Sequence, residues 1–275
     1  MANFPKVSVL IACFNNAEYV AGAIHSVLRQ DYPFYEIVII DDFSDDNSFK
    51  IIKEFESDKV KIFRNEKNFG TGYTKRRCIE ESSGEIFCFL DSDDELASHA
   101  LSSMVKCHLE DPECSLVFSN YYDCNSDLKI IKKNVRQNAG SSFSHLDTGK
   151  ISHLVTCKRI FYDRTAGINP AFKLAQDHDL YYKMEEVGVV KYINDFLYFY
   201  RMHRRSASRA SLDARLNSRL WHFRAIEAAY HRRGLDQSDL DLRFLVMIKD
   251  AMKKHSYHKL LARRVRGVLA WCLMK

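Results

Sequence analysis

The chain has 275 residues, of which 46% are hydrophobic, and is long enough to bury a substantial core. Its formal net charge is +5, from 41 Lys and Arg against 36 Asp and Glu. The first apolar run, Val7 to Phe14, is too short for a secretory signal, and no segment approaches the roughly 20 apolar residues of a membrane-spanning helix. These features favour a globular, cytoplasmic protein.

Short β-branched and aromatic runs alternate with segments of helical period over the first ninety residues or so. The predicted strands, apolar enough to be buried on both faces, are Val7 to Ala12, Glu36 to Ile40, Val60 to Phe63 and Ile86 to Leu90. The predicted helices are Ala17 to Arg29, Asn47 to Phe55 and Tyr73 to Ser82. This alternation is typical of a parallel, doubly wound α/β sheet, in which ligands bind beyond the carboxyl ends of the strands.

Acidic clusters follow two of these strands, at residues 41–46 (DDFSDD) and 91–94 (DSDD). Carboxylates this close disfavour one another's ionised forms unless a cation or hydrogen-bond donors neutralise them. The chain has no G-x-G-x-x-G or G-x-x-x-x-G-K-[ST] loop that would bind phosphate through backbone amides. We therefore predict that one cluster holds Mg²⁺ or Mn²⁺, which in turn holds phosphates, and that the other accepts hydrogen bonds from a base or ribose.

The second half of the chain is harder to interpret. Leu116 to Tyr122 and Ile151 to Cys157 are predicted ordered elements, and the polar stretch between them is a place where an acceptor site could vary. Phe196 to Tyr200 is an aromatic strand, and the pattern after Leu212 is helical. The eight cysteines form no C-x-x-C pair and are predicted to be buried thiols.

Basic residues concentrate at the end of the chain, with 18 Lys and Arg against 6 Asp and Glu from Phe196 to Lys275. Lys259 to Lys275 has the pattern of a basic amphipathic helix. Such a helix either packs on the main domain with its charges exposed or lies on an anionic membrane surface, in this case the inner face of the plasma membrane.

Five segments together carry a family resemblance: SVLIACFNNAEYV, VIIDDFSDDNS, NFGTGYTKRRCIEESSGEIFCFLDSDD, AQDHDLYYKM and YRMHRRSAS. In order and spacing, over about residues 6 to 209, the chain resembles glycosyltransferase family 2. The resemblance implies a GT-A (Rossmann-like) fold with a mostly parallel sheet flanked by helices, a nucleotide-diphospho-sugar donor and inversion at the anomeric carbon. The implied domains are residues 1–210, with a nucleotide-sugar half to about 110 and an acceptor half beyond it, and a helical basic extension over 211–275.

The resemblance also implies which residues bind the donor, with the D-x-D motif at Asp91 to Asp93. The expected nucleotide-sugar contacts are Ala12, Phe14, Asn15, Asp42, Asn68, Lys75, Asp91, Ser92, Arg201 and Arg204. The chain departs from the commonest family pattern, which has Arg-Asn where this sequence has Lys75-Arg76. For Asp42 the structural alternative is capping of the following helix.

Asp93 is the expected metal ligand, and His203 is expected to be a second one. Alternatively, Asp93 and Asp94 begin the helix that runs through Leu101 and Met104, because acidic residues favour helix N-termini. A histidine in a basic segment such as this one often faces solvent. Arg201 or Arg204 would neutralise charge on the departing diphosphate.

The expected catalytic base is Asp177, because inversion needs a base within reach of the acceptor hydroxyl. It matches the aspartate of the family's Glu-Asp motif, although Gln176 stands where Glu is usual. Asp179 is the second candidate. His178 would be a base by its ordinary pKa alone, and its alternative is a place on the helix surface.

The sequence thus predicts a metal-dependent inverting glycosyltransferase that moves a sugar from a UDP-sugar to a glycan or lipid-linked acceptor in cell-surface polysaccharide or lipopolysaccharide synthesis. A metal-dependent nucleotidyltransferase and a non-catalytic nucleotide-sugar-binding relative are the alternatives. A nucleic-acid partner is not expected, because the acidic edge of the sheet would repel phosphate without a metal.

Overall fold

The computed structural model describes residues 4–136, 146, 151–203, 212–238, 240 and 242–246. Helices and strands alternate through the first half of the chain, as predicted. The strands are β1 (Val7–Cys13), β2 (Tyr35–Asp41), β3 (Val60–Arg64), β4 (Ile86–Phe89), β5 (Glu95–Leu96), β6 (Cys114–Cys124), β7 (Ile130–Asn134), β8 (Val155–Lys158) and β9 (Val189–Arg201). The helices are α1 (Val20–Leu28), α2 (Ser48–Lys53), α3 (Thr71–Glu80), α4 (Ala100–Leu109), α5 (Arg159–Tyr162), α6 (Gln176–Val187) and α7 (Leu212–Arg233).

The strands form one sheet in the order β3-β2-β1-β4-β8-β6-β9-β5, with β7 paired to β6. Its first four strands are parallel, so the carboxyl ends of β1, β2 and β4 meet at one edge. The second half is mixed, since β8 is antiparallel to both β4 and β6 and β9 is parallel to β6. The α/β class is therefore confirmed, and the antiparallel pairs lie beyond β4.

Each face of the sheet is covered by helices. Alternate residues of β1 such as Val9 and Ile11 pack with α1 and α4 in one cluster. Leu10 instead belongs to a cluster with Cys78 of α3 and Leu180 of α6 on the other face. Strands buried on both faces read as continuous apolar runs, which explains why the sequence identified them.

Helix α7 begins at Leu212, in agreement with the predicted helical pattern. It packs on α6 through a third apolar cluster that includes Tyr182 and Ala229. Near its end, Arg232 contacts Glu186 at 2.9 Å and Arg233 contacts Glu185 at 2.8 Å. The segment from Lys259 to Lys275, for which we predict an amphipathic helix, lies outside the described residues.

Over the described residues, no helix is both long and apolar enough to cross a bilayer. The cysteines in this part of the chain, from Cys13 to Cys157, are buried free thiols, as predicted. Cys272 lies outside the described residues.

Glu36 is a buried carboxylate near the amino end of β2, far along the strand from the acidic clusters. It accepts hydrogen bonds from Lys6 Nζ at 2.8 Å, Ser8 Oγ at 2.8 Å and the Ser83 amide at 2.6 Å, and Lys61 lies 2.9 Å away. Burial raises the pKa of Glu36, but Lys6, the Ser83 amide and Lys61 lower it by more than burial raises it. The pKa of Glu36 is therefore well below its usual value.

Glu36→Gln should lower the free energy of unfolding at neutral pH by about 1.5–3 kcal/mol, the range for a buried hydrogen-bonded charge. A carboxylate whose pKa is lowered on folding stabilises the fold at pH values above its unfolded-state pKa. The difference in free energy of unfolding between wild type and Glu36→Gln should therefore shrink as the pH falls below about 4. Urea titrations at several pH values would measure this. The matched control is Glu85→Gln, an exposed residue nearby; an equal loss for both variants would contradict the prediction.

Candidate functional site

Side chains tie together the loops that follow β1, β2 and β4. The Asn15 amide donates to Ser44 Oγ at 3.0 Å, and the Asp45 amide donates to Asn15 Oδ1 at 3.0 Å. Asn16 Nδ2 donates to Ser92 Oγ at 2.8 Å, and Ser92 is buried. The carboxyl edge is therefore held as one unit, and two predicted donor contacts, Asn15 and Ser92, lie at its joints.

Asp42 follows β2 and is buried, with its carboxylate directed at the loop before α3. Oδ1 accepts from Asn65 Nδ2 at 2.6 Å and the Phe69 amide at 3.0 Å, and Oδ2 accepts from the Gly70 amide at 2.8 Å. Helix α2 begins with Asn47 as its N-cap and has no side-chain capping bond. The helix-capping alternative for Asp42 is therefore wrong, and its contact with base or ribose stays a prediction.

Several aromatic rings are exposed around this edge. Phe14, a predicted donor contact, is 46% exposed, and Phe43 is 48% exposed. Phe69 and Tyr73 stack with their ring centroids 4.4 Å apart. Flat apolar surfaces of this kind suit a nucleobase, and Phe43, Phe69 and Tyr73 are not singled out by the sequence motifs.

Ala12 and Asn68 lie at the same edge. Ala12 is half-buried and is the second-last residue of β1. Asn68 is exposed in the loop that Asp42 holds through Phe69 and Gly70. The expected contacts of Ala12 and Asn68 with the donor remain predictions.

Lys75 of α3 forms an ion pair with the first aspartate of the DSDD segment. Its Nζ lies 3.0 Å from Asp91 Oδ1, and its side chain is only 9% exposed. Burial raises the pKa of Asp91, but Lys75 lowers it more, so the net shift is downward. Burial lowers the pKa of Lys75, but Asp91 and Asp177 raise it more, so both partners stay ionised.

Asp93 meets His203, which lies 110 residues further along the chain, with 2.8 Å between Oδ2 and Nε2. The His203 side chain is 9% exposed and its ring packs against Tyr19, so it does not face solvent. Burial and the neighbouring Asp91 raise the pKa of Asp93, although His203 opposes this. A cation at this position would relieve the repulsion between the two carboxylates.

Asp93 and His203 are candidate ligands for a divalent metal. Among the described residues, no three His, Cys, Asp or Glu side chains are arranged to hold an ion. Asp93 and His203 supply one oxygen and one nitrogen, and Mg²⁺ or Mn²⁺ commonly takes its other ligands from water and substrate phosphates. The pair therefore fits a metal that is completed by a diphosphate.

Asp94 points into the protein and is 1% exposed. Its carboxyl accepts hydrogen bonds from the Tyr198 hydroxyl and the Arg201 amide, both at 2.7 Å. Burial, with Asp93 and Asp91 nearby, raises its pKa well above the usual value. Helix α4 begins only at Ala100, so neither Asp93 nor Asp94 starts it, and that alternative is wrong.

Arg201, at the end of β9, is buried and holds the DSDD segment in place through a hydrogen bond to its backbone. Nε donates to the Asp93 carbonyl at 2.6 Å, a second nitrogen donates to the Ser126 carbonyl, and the guanidinium lies 4.6 Å over the Tyr19 ring. Its donors are thus directed at protein groups. Contact with a diphosphate stays a prediction for Arg201, and Arg204 lies outside the described residues.

Asp177 lies in the first turn of α6, after Ala175 in the left-handed conformation. It lines one pocket together with Lys75, Asp91, His153 and Tyr181. Burial raises the pKa of Asp177, but His178 and Lys75 lower it more, and the net shift is downward. The carboxylate is therefore ionised at neutral pH and can accept a proton.

The other two candidates for the base are engaged elsewhere. Asp179 is 1% exposed and lies 2.6 Å from Lys183 and 3.0 Å from Arg232, so it joins α6 to α7. His178 stacks on His222 of α7 with ring centroids 4.1 Å apart, and burial lowers its pKa. These contacts favour Asp177 among the three.

His153 is a site residue that the sequence motifs do not indicate. Its ring stacks on Tyr198 at 4.6 Å and lines the pocket with Asp91 and Asp177. Burial lowers its pKa, which favours the neutral ring. It precedes β8, which is brought beside β4 by antiparallel pairing that no local pattern predicts.

A match to a known family shows which family the chain belongs to. The model of the family described as Glycosyl transferase family 2 matches residues 8–166, more than half of the chain. The chain belongs to glycosyl transferase family 2. The family model covers the D-x-D segment, Lys75 and His153, and it ends before Asp177.

Two relatives indicate the range of similar proteins. The chain is 26% identical over 238 residues to a chondroitin synthase of Escherichia coli, covering 84% of this chain and 33% of that protein. It is 28% identical over 177 residues to UDP-Glc:alpha-D-GlcNAc-diphosphoundecaprenol beta-1,3-glucosyltransferase WfgD of Escherichia coli, covering 64% of this chain and 67% of the relative. The chain thus spans about a third of the chondroitin synthase.

Two solved structures share the fold. TarS of S. aureus (residues 1–349), in complex with UDP-GlcNAc, matches with a TM-score of 0.69 and 17% identity, covering 94% of this chain and 77% of that one. The mannosyltransferase PcManGT of Pyrobaculum calidifontis, in complex with GDP-Man and Mn²⁺, matches with a TM-score of 0.64 and 18% identity, covering 100% and 82%. The predicted GT-A fold is confirmed.

Asp94→Ala should destabilise the protein by about 2–4 kcal/mol, because it leaves the Tyr198 hydroxyl and the Arg201 amide without their buried acceptor. Asp93→Ala should change the free energy of unfolding by less than about 1 kcal/mol. The substitution removes a stabilising contact with His203, but it also removes a carboxylate that repels Asp91 and Asp94. Urea unfolding of both variants measures the difference. Asp94→Asn, which keeps an acceptor oxygen, should recover part of the loss; equal losses for Asp93→Ala and Asp94→Ala would contradict the assignment.

Proposed function

We propose that this protein is a metal-dependent, inverting glycosyltransferase that moves a sugar from a UDP-sugar to a hydroxyl of a glycan or lipid-linked acceptor in cell-surface polysaccharide synthesis. One observation carries the proposal: Asp177 shares a pocket with the Lys75–Asp91 pair, in a chain whose family is glycosyl transferase family 2. A base and the residues for a nucleotide-diphospho-sugar thus belong to one site.

The nucleotide binds across the carboxyl ends of β1, β2 and β4. Phe14 and its exposed aromatic neighbours contact the base, while Asp42 holds the loop that carries Asn68 and can exchange one of its amide contacts for the ribose. UDP rather than another nucleotide is favoured by the names of the relatives, since WfgD uses UDP-Glc and TarS was solved with UDP-GlcNAc.

Asp93 and His203 would hold the metal, Mn²⁺ or Mg²⁺. Their close contact and the repulsion that raises the Asp93 pKa support this assignment, as does the Mn²⁺ in the complex of PcManGT. When bound, such a cation neutralises charge that develops on a leaving diphosphate. The protein's part is to present the two ligands on segments that Arg201 and Tyr19 hold in place.

Asp177 accepts the proton of the acceptor hydroxyl as that oxygen attacks the anomeric carbon. A single in-line displacement of this kind inverts the configuration, because the base and the leaving nucleotide lie on opposite sides of the sugar. Lys75 neutralises Asp91 and so limits the repulsion between Asp91 and Asp177. Arg201 is a positioning residue for the D-x-D segment, and Arg204 keeps the proposed role at the diphosphate.

We place the domain boundary near residue 210, with the donor half before about residue 110 and the acceptor half after it.

Support for a lipid-linked acceptor comes from WfgD, whose name specifies a diphosphoundecaprenol acceptor, and support for a polysaccharide comes from the chondroitin synthase.

Incubation with UDP-sugars and Mn²⁺ separates this function from the nucleotidyltransferase alternative. Release of UDP, by transfer or by hydrolysis, is the expected result. Release of sugar 1-phosphate instead, or of pyrophosphate when UTP and a sugar 1-phosphate are supplied, would support the alternative, and tight UDP-sugar binding without turnover would support a non-catalytic relative.

Asp177→Asn should lower the transfer or hydrolysis rate by about 10²–10⁴-fold, the usual contribution of a general base. UDP affinity, measured by calorimetry, should stay within about threefold of wild type, because Asp177 contacts the acceptor side; a threefold change is under 1 kcal/mol. Asp58→Asn, an exposed residue between α2 and β3, is the matched control. A rate for Asp177→Asn equal to that of the control would exclude the proposed role.

Asp93→Ala should weaken UDP binding by about tenfold or more in Mn²⁺ and have little effect in EDTA, because the lost interaction passes through the cation. Calorimetric titrations under the two conditions make the comparison. An equal loss with and without Mn²⁺ would show that Asp93 contacts the nucleotide without a metal.

A further inference from the structure

An exposed strip of basic and aliphatic side chains runs along β7. Residues 129–136 (KIIKKNVR), which we call the basic edge, contain three lysines, one arginine and three aliphatic side chains. Ile130 is 52% exposed, and Ile131 and Val135 are each 60% exposed. Among the described strands, β7 pairs only with β6.

The apolar surface continues from the basic edge onto the sheet. Tyr122, which is opposite Lys133 in the β6–β7 register, stacks on Phe196 at 4.7 Å and on Phe199 at 5.3 Å. The Lys133 ammonium lies 5.5 Å from the centre of the Phe196 ring. These rings are half-buried, so the strip and its aromatic neighbours form one amphipathic surface.

Both ends of the basic edge adjoin the candidate site. Before it, the turn from Asn125 to Lys129 is bound to Arg201 through the Ser126 carbonyl. At its other end, Arg136 donates to the Tyr121 hydroxyl at 2.7 Å, and the Tyr121 ring lies 6.0 Å from the His153 ring of the pocket. Both ends of the basic edge are therefore joined to residues of the candidate site, Arg201 at one end and, through Tyr121, His153 at the other.

We propose that the basic edge docks the protein on an anionic lipid bilayer, with the lysines at the headgroups and Ile130, Ile131 and Val135 in the interfacial layer. Basic side chains flanking exposed aliphatic and aromatic ones are the pattern of interfacial binding. The sequence has no acidic residue from Leu128 to Leu146, and two carboxylates adjoin the strip: Asp127 before it and Asp123 opposite Lys132 in the β6–β7 register. Membrane binding does not depend on the proposed transferase activity, although access to a lipid-linked acceptor would give it a purpose.

Two other occupants fit the basic edge less well. A second copy pairing along β7 would bring Lys132 and Lys133 against their own counterparts, and lysines on an edge strand discourage such pairing. A soluble polyanion would use the lysines but would leave three exposed aliphatic side chains without a partner. A lipid surface satisfies both sets of side chains.

The test is co-sedimentation of the full chain with vesicles of phosphatidylcholine alone and of phosphatidylcholine mixed with phosphatidylglycerol. We expect binding to the anionic vesicles that weakens with added salt. The double variant Lys132→Gln/Lys133→Gln should bind about 25-fold more weakly, at roughly fivefold per lysine. Ile130→Thr/Ile131→Thr, which keeps β-branched residues in the strand, should bind about tenfold more weakly.

Matched controls lie elsewhere on the surface. Lys50→Gln/Lys53→Gln on α2 and Ile160→Thr on α5 change exposed residues of the same types and should bind like wild type. Val135→Ser is a further variant of the basic edge in case the Ile130→Thr/Ile131→Thr protein has an altered thermal unfolding temperature.

Three results would overturn the proposal. One is wild-type protein that does not bind anionic vesicles, or binding that the variants of the basic edge and the controls affect equally. Another is light scattering that gives a dimer in wild type and a monomer in Ile130→Thr/Ile131→Thr, which would assign the surface to a second copy. The third is binding to dextran sulfate that matches vesicle binding and is unaffected by the isoleucine changes, which would assign it to a soluble polyanion.

Discussion

The site depends on how the repulsion among Asp91, Asp93 and Asp94 is relieved. Each carboxylate has a different partner: Lys75 pairs with Asp91, His203 contacts Asp93, and Tyr198 with the Arg201 amide binds Asp94. One aspartate is thereby used for an ion pair, one is buried as a structural group, and one stays beside an imidazole. Asp93 is the member of the three whose remaining repulsion a cation can relieve.

The same partners give the site its rigidity. Arg201 and Tyr198 come from β9, Lys75 comes from α3, and Asn16 reaches Ser92 from the loop after β1. A motif of four residues is thus fixed by three separate segments, and Asp177 enters the pocket from α6, which α7 holds through Asp179 and Arg232. Preorganisation of this kind keeps a base and charged ligands in place without ordering them at each turnover.

Much of this arrangement could be predicted from the sequence, and the rest could not for physical reasons. Doubly buried strands leave continuous apolar runs, so β1 to β4 and the acidic residues after them were readable, and family motifs indicated Asp93 and Asp177. The burial of the Asp94 side chain and the partners of the Arg201 donors could not be predicted, because the groups that they contact lie more than 70 residues away in the chain. His153 was missed because β8 reaches β4 by a long-range antiparallel pairing.

The most direct measurement is electron paramagnetic resonance of Mn²⁺ mixed with the protein, with and without UDP. The account predicts weak uptake of Mn²⁺ by the protein alone, much stronger uptake when UDP is added, and a nitrogen coupling in the bound signal that disappears in His203→Ala. A nitrogen coupling that survives in His203→Ala, or an uptake of Mn²⁺ that UDP does not change, would contradict the assignment of Asp93 and His203 as the ligands of a diphosphate-bound metal.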